Sequence, residues 1–277
     1  MILITGATGN VGRIVVERLA AEGREVRALS RRPEQVQWPF GTRAVAGDLV
    51  DAASLGPALD GIESVFLFAA PGLGADFVST AQAAGVRRVV LLSSGAVDDE
   101  AEVQDGPIAA WHHEIEQLLR ASGMRWTFLR PDTFATNLLP WAYQTKNGDE
   151  IHGAYAKAAA PVIHEADIAD AAVAALTGEG HDGKAYRLTG PELLTHADQA
   201  RILGEVLGRP IRYVETPPEQ ARAQMSGHVP APILNDILKF WEQSLERPHP
   251  VSADVEAVTG HKARDFRSWA REHPEVF

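Results

Sequence analysis

Cysteine is missing from all 277 residues. Its absence excludes disulfides, thiol nucleophiles and cysteine-ligated metals, and it fits a reducing compartment. Long apolar runs are also missing, since no stretch approaches the ~20 residues needed to cross a bilayer. The chain opens MILITGATG, passing straight into strand-type residues without a charged leader or cleavage site. The expectation is a soluble cytoplasmic protein with no membrane partner. Basic character is scarce too. Lys and Arg total 26 against 37 Asp and Glu, a formal charge of −11 that argues against nucleic acid as a partner. Internal repeats and low-complexity segments are absent. The length allows a large core in one domain or two.

What is present concentrates in Met1 to Arg32. MILIT is a short apolar run of the kind buried on both faces of a sheet. It leads into TGATGNVG, with glycines at Gly6, Gly9 and Gly12. Asn10 stands where an N-cap is expected, before an amphipathic helix from Val11 to Glu22 that Gly23 stops. Glu25 to Ser30 reads as a second strand. The Gly-x-x-Gly-x-x-Gly spacing differs from the commoner Gly-x-Gly-x-x-Gly, but the physical demands are the same. They are a tight turn, bare backbone against a pyrophosphate, and a helix N-terminus whose free N–H groups face the phosphates. A sharp structural turn would use glycines as well; the flanking strand, helix and second strand favour nucleotide binding.

The end of the second strand bears on which nucleotide. An acid there would accept from a ribose 2′-OH, whereas arginine suits a 2′-phosphate. This chain places Arg31 and Arg32 there, whose planar forks match phosphate oxygens. A solvated basic turn is the plainer alternative. The reading is NADP(H) over NAD(H).

Strands and helices then alternate. Strands are expected at Arg43–Gly47, Glu63–Ala69, Arg88–Ser93 and Trp126–Arg130, the last broken by Pro131. Helices are expected at Asp51–Leu59, Gly74–Ala84 and Pro107–Ser122. This order implies an α/β fold, a Rossmann-type doubly wound parallel sheet with ligands beyond the carboxyl ends of its strands. Residues 1–131 form the NADP(H)-binding domain. Residues 132–277 form a smaller substrate lobe interleaved with it, holding two short strands in Ile151–Val162, a helix at His164–Leu176, a strand at Lys184–Thr189, a helix at Thr195–Leu207 capped by Thr195, a strand at Arg212–Glu215 and a mostly helical tail.

TGATGNVG, Arg31, Gly47–Asp48–Leu49, LLSS at Leu91–Ser94, SGMRWTFLRP at Ser122–Pro131 and HEADIADAAVAAL at His164–Leu176 together resemble the NmrA-like branch of the atypical short-chain dehydrogenase/reductases. That branch includes NADPH-dependent quinone reductases and, more distantly, isoflavone-reductase-like enzymes. The resemblance implies that Gly6, Thr8, Gly9, Asn10, Val11 and Gly12 form the dinucleotide loop. It places Arg31, with Arg32, at the 2′-phosphate, Asp48 and Leu49 at the adenine, and Ala69, Ala70 and Pro71 on the ribose and nicotinamide side, with Ser93 and Pro131 completing the cofactor site. Asp48 has a second reading as the cap of the following helix.

The chain departs from the familiar short-chain dehydrogenases in one respect. None of Tyr143, Tyr155, Tyr186 and Tyr213 begins a Tyr-x-x-x-Lys pair. In the isoflavone-reductase-like enzymes a lysine on the helix before the sixth strand serves instead. The equivalent position here is His112, with His113 beside it and Glu116 one turn on, able to orient the ring. His112 and Ser93 are therefore the catalytic candidates, each with a structural alternative as a locally satisfied polar residue. The divergent directions of adjacent histidines and the lack of an evident third ligand argue against a metal role. Ser94, His113, Phe134, Asn137, Leu138 and Trp141 are the substrate-contact candidates, the last four within the apolar stretch DTFATNLLPWAY, which could equally be core.

The expected function is hydride transfer from NADPH to a quinone, enone or related conjugated or aromatic carbonyl, carried out by a monomer or homodimer. A non-catalytic NADP(H)-sensing regulator is the alternative, as is a ketoreductase or redox-neutral enzyme acting on a polycyclic metabolite.

Overall fold

The computed structural model describes residues 1–277. Seven parallel strands form one sheet in the order β3-β2-β1-β4-β5-β6-β9. They are β1 (Ile2–Ile4), β2 (Val26–Ser30), β3 (Thr42–Ala46), β4 (Ser64–Phe68), β5 (Arg88–Leu92), β6 (Arg125–Pro131) and β9 (Lys184–Leu188). Strand order reverses between β1 and β4, and in open sheets of this kind the ligand crevice lies at the carboxyl ends beside such a reversal. Leu3, Ile4, Val89, Val90 and Leu91 are fully buried because helices cover both faces. On one face α1 (Asn10–Ala21) packs with α6 (Glu165–Thr177), and on the other lie α2 (Ala52–Leu59), α3 (Ala75–Ala83) and α4 (Pro107–Ala121). The double-wound α/β expectation holds.

The remaining elements follow β4 to β6 in the chain, either intervening before β9 or coming after it. They are α5 (Trp141–Thr145), β7 (Glu150–Gly153), β8 (Ala159–Ala160), β10 (Leu194–Thr195), α7 (His196–Leu207), β11 (Arg212–Glu215), α8 (Pro218–Met225), α9 (Ala231–Gln243), α10 (Asp254–Thr259) and α11 (Phe266–Glu272). Two small sheets, β7 with β11 and β8 with β10, enclose a third core around Trp269, Phe266, Leu203 and Ile151. The chain crosses between the halves more than once. β9 pairs with β6 as the seventh strand, and α10 packs against α6 and β9.

Two capping expectations need correction. Gly9, in extended conformation, is the N-cap of α1 and Asn10 is its first helical residue. The turn must bring backbone, not a side chain, to the helix end. Asp51 rather than Asp48 caps α2, its carboxylate accepting from Ala53 N at 3.1 Å. Asp48 lies three residues too early and instead closes a local turn, accepting from Val50 N at 3.2 Å. Thr195 caps α7 as expected, reciprocated by Asp198 in a capping box. Pro131 ends β6 rather than breaking it, since its carbonyl still accepts from Gly95 N at 2.8 Å.

Candidate active site

The crevice floor begins with the glycine loop. Gly6 has φ +58°, a left-handed conformation that favours glycine, and an added Cβ would stand 3.0 Å from the Phe68 Cβ. A Cβ on Gly12 would run into the Gly6 carbonyl oxygen. The loop is thus folded onto itself at a closeness that only glycine permits. Gly9 N donates to Gly6 O at 2.9 Å, and the first bond of α1 runs from Arg13 N to Gly9 O. The N–H groups of Asn10, Val11 and Gly12 therefore have no acceptor within the helix and point out of its first turn. Thr8, Gly9 and Asn10 are exposed, so this cradle fits a pyrophosphate.

Arg31 and Arg32 follow β2, both exposed, and neither forms an ion pair. Their donors are free for a 2′-phosphate. Asp48 and Leu49 sit half-buried beyond β3, bound through Ser54, whose hydroxyl accepts from Asp48 N at 2.9 Å. Ala69 is buried, Ala70 half-buried and Pro71 exposed at the end of β4. Phe68, absent from the sequence-based set, is 42% exposed beside Gly6. A large ring left uncovered at a loop built for nucleotide backbone is a candidate cofactor contact. Its signal was the glycine opposite it, which the strand pattern alone does not reveal.

Ser93 and Ser94 follow β5 directly and have different surroundings. Ser93 is buried and its hydroxyl donates to Glu116 Oε1 at 2.6 Å. Glu116, fully buried on α4, also accepts from Arg130 Nε at 2.9 Å and from Arg130 Nη2 at 2.6 Å on its other oxygen. Arg130 in turn holds Asp99 through two bonds of 2.7 Å. Burial works against the charge of Arg130, but its hydrogen bonds to Asp99 and Glu116 more than offset this and raise its pKa. The same bond lowers that of Asp99. The network ties β5, β6, α4 and the Ser94–Gly106 loop into one frame. Glu116 is thereby committed to Ser93 and Arg130, not to orienting His112. Ser94 is half-buried, and its Oγ accepts from Ala96 N at 3.2 Å, which leaves its O–H free to donate.

His112 is buried near the start of α4, its Nδ1 2.7 Å from the Ile108 carbonyl. That contact requires a proton on Nδ1 and leaves the lone pair on Nε2, which has no protein partner. Burial lowers the His112 pKa, opposed more weakly by the Ile108 carbonyl and the Glu116 charge. The ring is thus neutral near neutral pH, and its one proton is already engaged. His113 is half-buried, with Nδ1 enclosed and unpartnered. From across the lobe, Asp236 of α9 accepts from Ile108 N at 3.0 Å and fixes the N-terminus of α4.

The apolar stretch after β6 divides. Leu138 is buried in the third core and Trp141 packs against it, tilted on Tyr213, while Phe134 packs against the α1/α6 core. Asn137 is exposed. Pro131 and Asp132 are buried where the stretch begins. Elsewhere Asp167, Asp170 and His261 converge, but Arg264 and Arg18 pair with these carboxylates, making the cluster a tie between α6 and its neighbours.

A family model described as NAD(P)H-binding matches residues 6–179, from the glycine loop through α6. The chain belongs to this family. It is an NAD(P)H-dependent oxidoreductase. It is similar to (4-alkanoyl-5-oxo-2,5-dihydrofuran-3-yl)methyl phosphate reductase of Streptomyces griseus, 41% identical over 100% of this chain and 99% of the relative. NAD(P)H azoreductase of Xenophilus azovorans is 33% identical over 100% and 99%. The NADPH complex of an Escherichia coli NADPH-dependent quinone oxidoreductase superposes with TM-score 0.82 at 26% identity, covering 98% and 99% of the two chains. No helix is long and apolar enough to cross a membrane.

Proposed function

We propose that the protein uses NADPH to reduce a small, planar, conjugated acceptor such as a quinone, an enone or an unsaturated lactone. The observation that carries the cofactor preference is the pair Arg31 and Arg32, exposed and free of acidic partners at the end of β2. The acceptor class follows from what the crevice offers. It holds one free hydroxyl, a neutral imidazole and small residues, with no Tyr-x-x-x-Lys pair to force proton transfer onto an unactivated ketone. Acceptors named by its relatives, an azo compound, a quinone and an oxo-dihydrofuran, share conjugation that spreads the incoming charge.

NADPH supplies the hydride when bound, and the chain sets approach and polarity. The N–H groups of Asn10, Val11 and Gly12 hold the pyrophosphate, and Arg31 and Arg32 the 2′-phosphate. Ser94 donates to the acceptor oxygen, while the Ser93–Glu116–Arg130 frame keeps the end of β5 in place. The neutral Nε2 of His112 accepts from a ligand N–H or O–H and orients it. The test is NADPH oxidation, followed at the nicotinamide absorbance, across benzoquinones, naphthoquinones, enones and 2-acylbutenolides. Turnover with at least one class and a preference for NADPH over NADH is expected. Tight NADPH binding with no oxidation by any class would sink this reading.

A further inference from the structure

Helix α4 starts without a cap of its own. Its N-cap is Gly106, at φ +93°, which has no side-chain acceptor to offer, and its first residue is Pro107, which has no N–H. The acceptor comes from α9 instead. Half-buried Asp236 takes the Ile108 N–H on Oδ2 at 3.0 Å, at the second helical position that a cap normally serves. Its Oδ1 lies so close over Gly106 that a Cβ there would run into it. Lys239, one turn farther along α9, pairs with Asp105 just ahead of Gly106, and Leu234 and Leu238 anchor the buried side of α9.

Ile108 also turns its carbonyl to His112, so Asp236, the Ile108 backbone and the imidazole form one chain of hydrogen bonds. Trp111 stacks on the ring with centroids 4.5 Å apart, holding a face of it as well as Nδ1. Nε2 has no protein partner and is not sealed from solvent. The place of the ring follows from Glu116. Because β5 and β6 are parallel, α4 runs back from the carboxyl end of β5, and Glu116 meets Ser93, the first residue beyond that strand, at 2.6 Å. His112 precedes Glu116 by one turn on the same side. It therefore stands past the strand end, toward the edge of the sheet where ligands of such folds lie.

We propose that Asp236 is a positioning residue for His112: by fixing Ile108 it holds the imidazole in the Nδ1–H tautomer and keeps the Nε2 lone pair available to a ligand. The use of that lone pair rests on the reductase reading above; the hold on the ring does not. A neutral imidazole has one N–H, and the bond made at one nitrogen decides the role of the other. Released from Ile108, the ring can carry its proton on Nε2 and becomes a donor where the held ring is an acceptor. The held tautomer selects a ligand O–H or N–H at that point, as on an enol, a hydroquinone, a hydrazo nitrogen or a carboxamide, and disfavours a bare carbonyl.

The experiment records long-range 1H–15N spectra of the full-length protein labelled with 15N-histidine, as wild type, Asp236→Ala and Asp236→Asn, with His112→Gln identifying the His112 signals. Wild type should show Nδ1 protonated and Nε2 bare. D236N should match it, because the amide oxygen still accepts from Ile108 N. D236A should show protonated Nε2 and, with NADPH and an acceptor from the panel, lose ~10-fold in kcat/KM at unchanged NADPH affinity, the worth of one hydrogen bond. A cap that only stabilises the helix would lower the melting temperature of D236A while leaving the tautomer and kcat/KM of the folded protein as in wild type, and that result overturns the proposal. So does a wild type with its proton on Nε2, a readout that needs no variant to fold, or a D236N protein that behaves as D236A. A wild type inactive with every acceptor, its tautomer still shifted by D236A, overturns the reductase reading and leaves the hold of Asp236 on the ring standing.

Discussion

The glycine loop and the Ser93–Glu116–Arg130–Asp99 frame stand at the same end of the same sheet, yet they are made in different ways. The loop is local, every demand on it falling between Gly6 and Gly12, and backbone atoms perform its task. The frame draws single side chains from β5, α4, β6 and the Asp99 loop, across separations of up to 31 residues. A local device fails when one atom is added, whereas a distributed one fails when one charge is removed.

That contrast predicts the largest effect at Glu116. Glu116→Ala leaves the Arg130 guanidinium, 11% exposed, without its buried partner, and should cost about 3–5 kcal/mol in chemical denaturation. Cofactor affinity should survive in whatever fraction remains folded. Gly12→Ala should do the reverse. Overpacking against the Gly6 carbonyl should cost about 1–3 kcal/mol, while NAD(P)H binding by fluorescence titration is lost. If Gly12→Ala binds NADPH normally, the loop is more compliant than its geometry says. Arg31→Ala should weaken NADPH ~10-fold or more and leave NADH unchanged, because only the 2′-phosphate bonds are removed.

The smallest effect belongs to His112. Its folded-state pKa lies below the ordinary 6.5, so the unfolded chain takes up its proton first as pH falls. The stability tied to the neutral ring is present above pH 6.5 and declines below it. His112→Gln should flatten the acid side of the stability curve below pH 6.5. A profile unchanged by the substitution would mean that the ring is not desolvated.

Legibility in the sequence followed the same division. The glycine turn and the strand and helix alternation could be read directly, since periodicity and turn chemistry are local signals. The caps at Gly9 and Asp51 were missed by a residue or a few, within the range where propensity does not decide. Glu116 was visible, but its partner was not. An acid between Ile115 and Leu119 on an apolar helix face signals a buried partner, while nothing short of the fold says that the partner is Arg130 rather than His112. The tie between Asp132 and His249 is harder still to read, because it spans 117 positions. The apolar stretch after β6 reads the same as core or as pocket wall, and Leu138 lies in the core.

The bond from Ile108 N to Asp236 crosses 128 positions. A chain emerging from the ribosome can assemble the sheet through β6 and fold the glycine loop well before α9 exists. The helix that carries His112 and Glu116, however, lacks its N-terminal tether until residue 236 has cleared the exit tunnel. The glycine loop can thus form on the nascent chain before the start of α4 is tied down, and a molecule interrupted in its last quarter would carry the loop complete and that helix end loose.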